Sequence, residues 1–347
     1  MGKVTIADIA RLAGVSKTSV SFAFNDPSRL PEETVRRIIS VADELGYIPN
    51  PVARSLTSKR TGNIGLLFPQ PLPVALDNPY MLELLRGVGS VCDLSGYNVL
   101  LVSPLLGSMR QAVSDAVVDG FLTIGLEHYR STVILLEQRR VPYVMVDSEP
   151  HTGSVCVNID DSGGAYEAMR YILELGHRRI AILGIESGRY GRYTEYVGTI
   201  RHRMDGYQQA LQEAGLAVDG KQVQLIECPC TSEGGYAAFD EMCKAGPLPT
   251  AIVTMADVIA LGVLEAAEAH QVVIPRDLSL VGYDDLPIAR WFAPPLTTVQ
   301  QPVFEKGQRA AQTLIDLMGG ASFTDNIVLP TRLVIRQSAA SVAAATR

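Results

Sequence analysis

At 347 residues with 47% hydrophobic side chains, the chain has room for two or three domains with packed cores, and no window reaches the roughly 18 apolar residues of a membrane span. Its net charge of −7 is uneven: residues 1–60 hold nine Lys/Arg against six Asp/Glu, whereas the remaining 287 hold 21 against 31. That asymmetry excludes a protein coated throughout by nucleic acid and leaves a small basic module, suited to approaching a polyanion, ahead of a larger acidic body.

The first 49 residues predict three helices. Thr5, with Asp8 three residues on, forms a capping-box variant, and Ile6, Ile9, Ala10 and Ala13 follow at i, i+3, i+4 and i+7 until Gly14 stops the helix. Ser16 caps a second, short helix, "KTSVSFAF", which turns Val20, Ala23 and Phe24 toward the same core. Pro31 opens a third, with Val35, Ile38, Ile39, Ala42 and Leu45 as its apolar stripe and Gly46 at its end. Two short helices separated by "AGVS" and braced by a third make a helix-turn-helix, which lays its second helix in the major groove of DNA.

Pro49 and Pro51 close this module, and a short basic stretch follows. "PVARSLTS" spans about two turns, too short for a stable helix alone in water. From residue 62 the pattern alternates short apolar strands ("NIGLLF", "YNVLLVS", "GFLTIG", "PYVMVD") with amphipathic helices such as "PYMLELLRGVGSVCDL". A second run of the same kind follows Asp160, through "RRIAILG", "QVQLIEC", "PTAIVTM" and "DLSLVGYD" with helices between them. The expected fold class is α/β, with two doubly wound, Rossmann-like lobes behind an all-α domain. Ligands in such sheets bind beyond the carboxyl ends of the strands, in the cleft between lobes.

The sequence resembles the LacI/GalR family of bacterial transcription regulators along essentially its whole length. The matching stretches are "VTIADIARLAGVSKTSVSFAFN" through "ELGYIPNPVARSL", then "DGFLTIG", "LGHRRIAILG", "RMDGYQQAL", "PTAIVTMADVIALGVLEA", "IPRDLSLVGYDDLPIARWFAPPLTTVQQP" and "PTRLVIRQS". The resemblance implies a homodimeric repressor whose lobes resemble periplasmic sugar-binding proteins, and whose hold on operator DNA responds to a small effector. It divides the chain into a DNA-binding domain (1–49), a hinge helix (50–61), an effector and dimerisation domain (62–340) and a tail (341–347). Within the large domain, one lobe takes about 62–160 and 302–327, the other about 161–301 and 328–340.

In the DNA-binding half the resemblance puts Lys17, Thr18 and Phe22 toward base edges and leaves Thr5, Ser16, Ser19, Ser21 and Asn25 for phosphates. Lys17 suits guanine O6/N7, and Thr18 a hydrogen bond or a thymine methyl. Phe22 departs from relatives with Arg or His there: its ring either touches a base through apolar atoms or adds to the core. In the hinge the resemblance implies that two copies of the segment pair over the minor groove, Leu56 wedging between central base steps, Asn50 and Ala53 facing the groove and Arg54 available to phosphate. Thr57 replaces a Lys found in relatives.

In the effector half, the carried-over residues are Tyr80, Asp147, Thr199, Arg203, Asp257 and Asp284. The fork of Arg203 and the acceptors Asp147 and Asp284 suit a polyhydroxylated or nucleobase-like ligand, a sugar or polyol first. Asp257 also suits capping of the helix it precedes. Ala256 and Cys230 stand where sugar-responsive relatives place Asn and a stacking aromatic. The Arg- and Tyr-rich loop 186–203 reads as a lid, a platform, an anion clamp or a solvated loop.

The five cysteines, Cys92, Cys156, Cys228, Cys230 and Cys243, are odd in number without a Cys-x-x-Cys pair, and read as reduced thiols. With no nucleophile elbow, Walker-type loop or metal-ligand cluster, neither an enzyme nor a cofactor or metal is expected. A solute-binding protein would share the lobes but needs a signal peptide, which "MGKVTIADIA" does not resemble; a cytoplasmic, DNA-bound location is expected. Inducer-released and co-repressor-dependent regulators, the latter controlling genes for nucleobases or other metabolites, remain equal alternatives, since both use one cleft.

Overall fold

The computed structural model describes residues 4–49, 55, 60–125, 130–150, 153–186, 193–218, 221–323 and 325–342. The expectations for Asn50, Ala53, Arg54 and Leu56 lie outside these residues, as does part of the loop 186–203. The chain divides into two compact units, Met1–Gly62 and Asn63–Arg347.

In the first unit, α1 (Ile6–Ala13) begins where the N–H and hydroxyl of Thr5 both donate to the Asp8 carboxylate, at 3.1 and 2.8 Å. It ends at Gly14, whose left-handed φ of 64° lets its N–H reach back to the Ala10 carbonyl. The Ser19 N–H donates to Ser16 Oγ at 3.0 Å and starts α2 (Lys17–Asn25). Pro31 precedes α3 (Glu32–Glu44). Ile9, Ala10, Ala13, Val20, Ala23, Ile38 and Ala42 form the core, with Ile6, Phe24 and Leu45 packed at its edge. Each large side chain so buried contributes roughly 1.5–3 kcal/mol, which makes these few contacts decisive in a small domain.

The second unit holds two six-stranded sheets. The first takes β1 (Asn63–Leu67), β2 (Asn98–Val102), β3 (Gly120–Ile124), β4 (Tyr143–Val146), β5 (Val155–Ile159) and β11 (Ile327–Leu329) in the order β11-β5-β4-β3-β1-β2, every pair parallel. The second takes β6 (Ile180–Ile185), β7 (Val223–Cys228), β8 (Ala251–Thr254), β9 (Ser279–Asp284), β10 (Thr297–Gln300) and β12 (Arg332–Val334) in the order β12-β10-β9-β8-β6-β7. Only the β10–β12 pair is antiparallel. Among the described residues nine helices accompany these sheets: α4 (Leu72–Leu76), α5 (Pro79–Ser95), α6 (Met109–Asp115), α7 (Arg130–Arg139), α8 (Asp161–Glu174), α9 (Gly198–Glu213), α10 (Ser232–Ala245), α11 (Asp257–Ala269) and α12 (Val303–Met318). None of the helices found among the described residues is long and apolar enough to cross a membrane.

The chain passes between the sheets three times: after β5, after β10, and between β11 and β12. The last passage follows Leu329, beyond the boundary expected at about 327, because Ile327, Val328 and Leu329 pair with Val157, Asn158 and Ile159 of β5. Among the described residues three helix pairs approach through glycine, and two of them set the site. A Cβ on Gly307 would stand 2.3 Å from the Leu84 carbonyl oxygen, so α12 rests directly on α5. A Cβ on Gly206 would stand 2.1 Å from the Ser162 carbonyl oxygen, which holds α9 equally close to α8.

Candidate functional site

The face of α2 turned away from the core carries Lys17, Thr18 and Asn25, all exposed, with Ser21 and Phe22 half-buried. Asn25 Nδ2 donates to Ser21 Oγ at 3.2 Å, and the hydroxyls of Ser16 and Ser19 lie 2.9 Å apart. Phe22 does not pack with the buried cluster of this unit. The Arg29 guanidinium lies over its ring, 5.0 Å from the centroid, and Arg29 Nε donates to Asp26 Oδ2 at 2.7 Å. The apolar surface that Phe22 adds is therefore outward, and the core alternative gives way to a ring paired with a cation.

In the large unit, the carboxyl ends of β3, β4, β6, β7, β8 and β9 converge on a cavity of about 190 Å³. Tyr80, Asp147, Thr199, Arg203 and Asp284 all line it, and so do Ala256 and Cys230. Larger surface hollows lie elsewhere, about 520 Å³ between β7 and α10, about 540 Å³ beside Trp291, about 330 Å³ beside Phe304 and about 270 Å³ beside Leu101, and of the residues lining these four Asp285 alone is a buried charged side chain. The small cavity is where buried charges gather.

One wall of the cavity comes from the first lobe. Asp147 follows β4 directly, in a left-handed conformation of φ 51° that Asp tolerates better than most residues. Tyr80, in the first turn of α5, donates its hydroxyl to Asp147 Oδ2. Behind both stands Lys306, fully buried, whose ammonium donates to Asp147 Oδ1 at 2.6 Å, Gln301 Oε1 at 2.7 Å and the Tyr80 hydroxyl at 3.0 Å. Burial, and then the Asp147 charge, hold the Tyr80 hydroxyl well above its usual range, so it remains a donor.

The opposite wall belongs to the second lobe. Arg203 Nε donates to Asp161 Oδ1 at 2.8 Å, Nη1 donates to the Met255 carbonyl, and the guanidinium lies 3.8 Å from the centroid of the Tyr283 ring. Burial opposes its charge, but Asp161 above all keeps its pKa well above the ordinary arginine value. Asp284 ends β9 with φ 129°, accepts from Gln301 Nε2, and lies 4.0 Å from Arg203 Nη1. Burial pushes its pKa up to about 6 against the pull of Arg203.

Asp257 departs from the expected set. It does not line the cavity: Oδ1 accepts from the Thr298 hydroxyl at 2.6 Å and Oδ2 from the Leu286 N–H at 2.9 Å. Burial first, and Asp284 second, hold its carboxyl well above the usual range. Nor is it the helix cap, since it is the first residue of α11 and Ala256 occupies the cap position. Its role is to tie that helix to β10 and to the turn after β9.

Comparison with known proteins fits both surfaces. Residues 5–50 match the model for bacterial regulatory proteins of the lacI family, and residues 169–339 match a periplasmic binding protein-like domain. The HTH-type transcriptional regulator DegA of Bacillus subtilis (strain 168) is 32% identical over 346 residues, covering 97% of this chain and 98% of that protein. The chain belongs to the LacI family of bacterial regulatory proteins. The transcriptional repressor PurR of Proteus mirabilis (strain HI4320) is 34% identical over 345 residues, 97% of each chain. Among solved structures, a lac repressor dimer bound to operator and the anti-inducer ONPF superposes with a TM-score of 0.81 at 25% identity, over 98% of this chain and 100% of that one. A complex of the regulator CelR with cellobiose superposes with a TM-score of 0.69 at 27% identity, over 97% and 100%.

Within this LacI-family frame, sequence reasoning missed Lys306, Gln301, Asp161 and, on the small unit, Arg29. Lys306 had a detectable signal: Val303, Gly307, Ala310, Ala311 and Leu314 make the buried stripe of α12, and a lysine inside it demands a buried partner. Asp161 had none, because an acidic residue opening a helix is ordinary.

Proposed function

We propose that this LacI-family regulator is a repressor that binds a pseudo-palindromic operator as a homodimer in the cytoplasm and is controlled by a small polar effector in the interlobe cavity, without enzymatic activity. The observation that carries the reading is the pairing of a capped helix-turn-helix with a cavity at strand ends whose buried charges come from both lobes.

Lys17 and Thr18 read base edges, while the Phe22 ring, backed by Arg29, presents an apolar surface with a guanidinium beside it. Thr5, Ser16, Ser19, Ser21 and Asn25 lie toward phosphates, Ser16 sharing its oxygen with the helix cap. The hinge residues Asn50, Ala53, Arg54 and Leu56 act at the minor groove at the operator centre, where a flexible pyrimidine–purine step makes a kink cheap. Tyr80, Asp147, Thr199, Arg203 and Asp284 contact the effector, which the cavity size limits to a sugar, a polyol or a molecule of similar bulk.

The test is selection of binding sites from a randomised duplex library, followed by mobility-shift titration with and without sugars, polyols, sugar phosphates and nucleobases. A two-fold related consensus whose affinity changes with one of these compounds is the expected result. Failure to enrich any sequence refutes the reading.

A further inference from the structure

Lys306 is the only buried lysine among the described residues, and its three N–H bonds meet three oxygens of the protein itself. Arg203, across the cavity, gives Nε to Asp161 and Nη1 to the Met255 carbonyl, while its face is covered by Tyr283. Both buried cations of the cleft are thus engaged by the protein. The ammonium has no donor left for a ligand, and the guanidinium, with two of its five N–H groups taken, sits between the carboxylates of Asp161 and Asp284.

The acceptors stand differently. Asp147 and Asp284 line the cavity from opposite lobes, and each carboxylate oxygen has room for a further donor beyond the one it already holds. Counting Asp161 behind Arg203, three carboxylates face two cations. An entering anion would meet carboxylate charge on both walls at low dielectric, with the Arg203 charge already shared between Asp161 and Asp284, whereas a hydroxyl or amine would find unfilled lone pairs.

We propose that Lys306 presets this cleft for an uncharged or amine-bearing effector and closes it to phosphorylated and carboxylated ones. The proposal rests on the cavity being the effector site, and it gives Lys306 a positioning role. Lys306 aligns Tyr80 and Asp147 on one wall. By holding the carbonyl of the Gln301 amide it also aims the nitrogen at Asp284 on the other.

Inorganic phosphate and sulfate, titrated into the full chain at constant ionic strength and followed by thermal denaturation, test this without knowledge of the effector. Wild-type protein is expected to show no saturable stabilisation. Asp147→Asn removes the carboxylate charge that balances the Lys306 ammonium, so it should gain a saturable, phosphate-dependent rise in melting temperature. That rise should weaken about tenfold or more in Asp147→Asn/Lys306→Met, a loss that a merely structural lysine would not produce. Saturable stabilisation of the wild type that Lys17→Ala leaves in place overturns the proposal; so does an Asp147→Asn variant that folds by circular dichroism and gains nothing. Should Asp147→Asn not fold, the wild-type titration decides alone. Failure of the DNA selection counts against the regulatory reading and leaves this titration unaffected.

Discussion

Replacing Arg203 by Met keeps most of the side chain's apolar stem and removes a charge that four groups converge upon. The side chains of Arg203 and Asp161 are 6% and 4% exposed, so the substitution leaves Asp161 buried without its partner. Breaking a buried pair from one side costs about 3–5 kcal/mol. For a unit of 285 residues, unfolding entropy of about 2.1 cal/mol/K per residue gives about 0.6 kcal/mol/K, and the melting temperature should fall by about 5–8 °C. The pH dependence is a second signature. Burial already raises the Asp161 pKa, with Arg203 the largest opposing influence, so removing Arg203 raises the folded-state value further above the unfolded one. The folded variant then holds a proton that the unfolded chain has released, and its stability declines as pH rises between those two values. The deficit relative to wild type should therefore grow as pH rises above the ordinary carboxylate value of 3.8, and Arg203→Met/Asp161→Asn should recover most of it. Thermal denaturation across this range measures both signatures. A loss under about 2 °C at the alkaline end, or one equal at both ends, refutes the account of a buried, mutually dependent pair.

Gly307→Ala drives a Cβ into the Leu84 carbonyl, and prying α12 from α5 should cost about 1–3 kcal/mol in urea unfolding, against near neutrality at the uncrowded Gly89. His177 is buried with Nδ1 3.0 Å from Thr250 Oγ1 and Nε2 2.9 Å from the Ala340 carbonyl, and burial lowers its pKa. Its contribution is full above the unfolded value of 6.5 and is lost as pH falls from there through the lower folded value, so His177→Asn should flatten the acid limb of the stability profile; an unchanged slope counts against this. Ser16→Ala removes the cap of α2 and should lower the stability of the small unit by about 1 kcal/mol, with Ser16→Gly much milder, as circular dichroism melting of the full chain would resolve. Leu56→Ala should leave the melting temperature unchanged and weaken operator binding strongly; equal affinity in mobility-shift titration would remove the wedge from the account.

How far each feature could be read from sequence follows from what kind of signal it leaves. The helices of the small unit announce themselves through caps and spacing together, Thr5 with Asp8 and Gly14 with Ser16, and all three occur where those signals put them. Strands buried on both faces, such as β3 and β9, show as largely apolar runs. The strands β11 and β12 are only three residues each, too short for their composition to mark them, and only their pairing with β5 and β10 at the sheet edges reveals them. Most of the cavity was legible because it sits at strand ends, where a parallel sheet must put it. Asp257 misled because its position matches that rule while its oxygens are turned to Thr298 and Leu286, a difference of side-chain direction that no spacing encodes.

Lys306 illustrates the converse. Periodicity identifies a buried stripe by averaging over it, so a single charged residue inside the stripe is treated as noise. Physically it is the reverse, because a lysine cannot stay on that face unless carboxylates, carbonyls or hydroxyls wait for it. Its burial therefore predicts its neighbours: three acceptors within reach, at least one of them charged, on whatever packs against α12. Tyr80, Asp147 and Gln301 meet that demand, and all three also line the walls of the cavity across which Asp284 and Arg203 stand. The residue that breaks the helix's apolar pattern is thus the one that fixes what the opposite strand ends can accept.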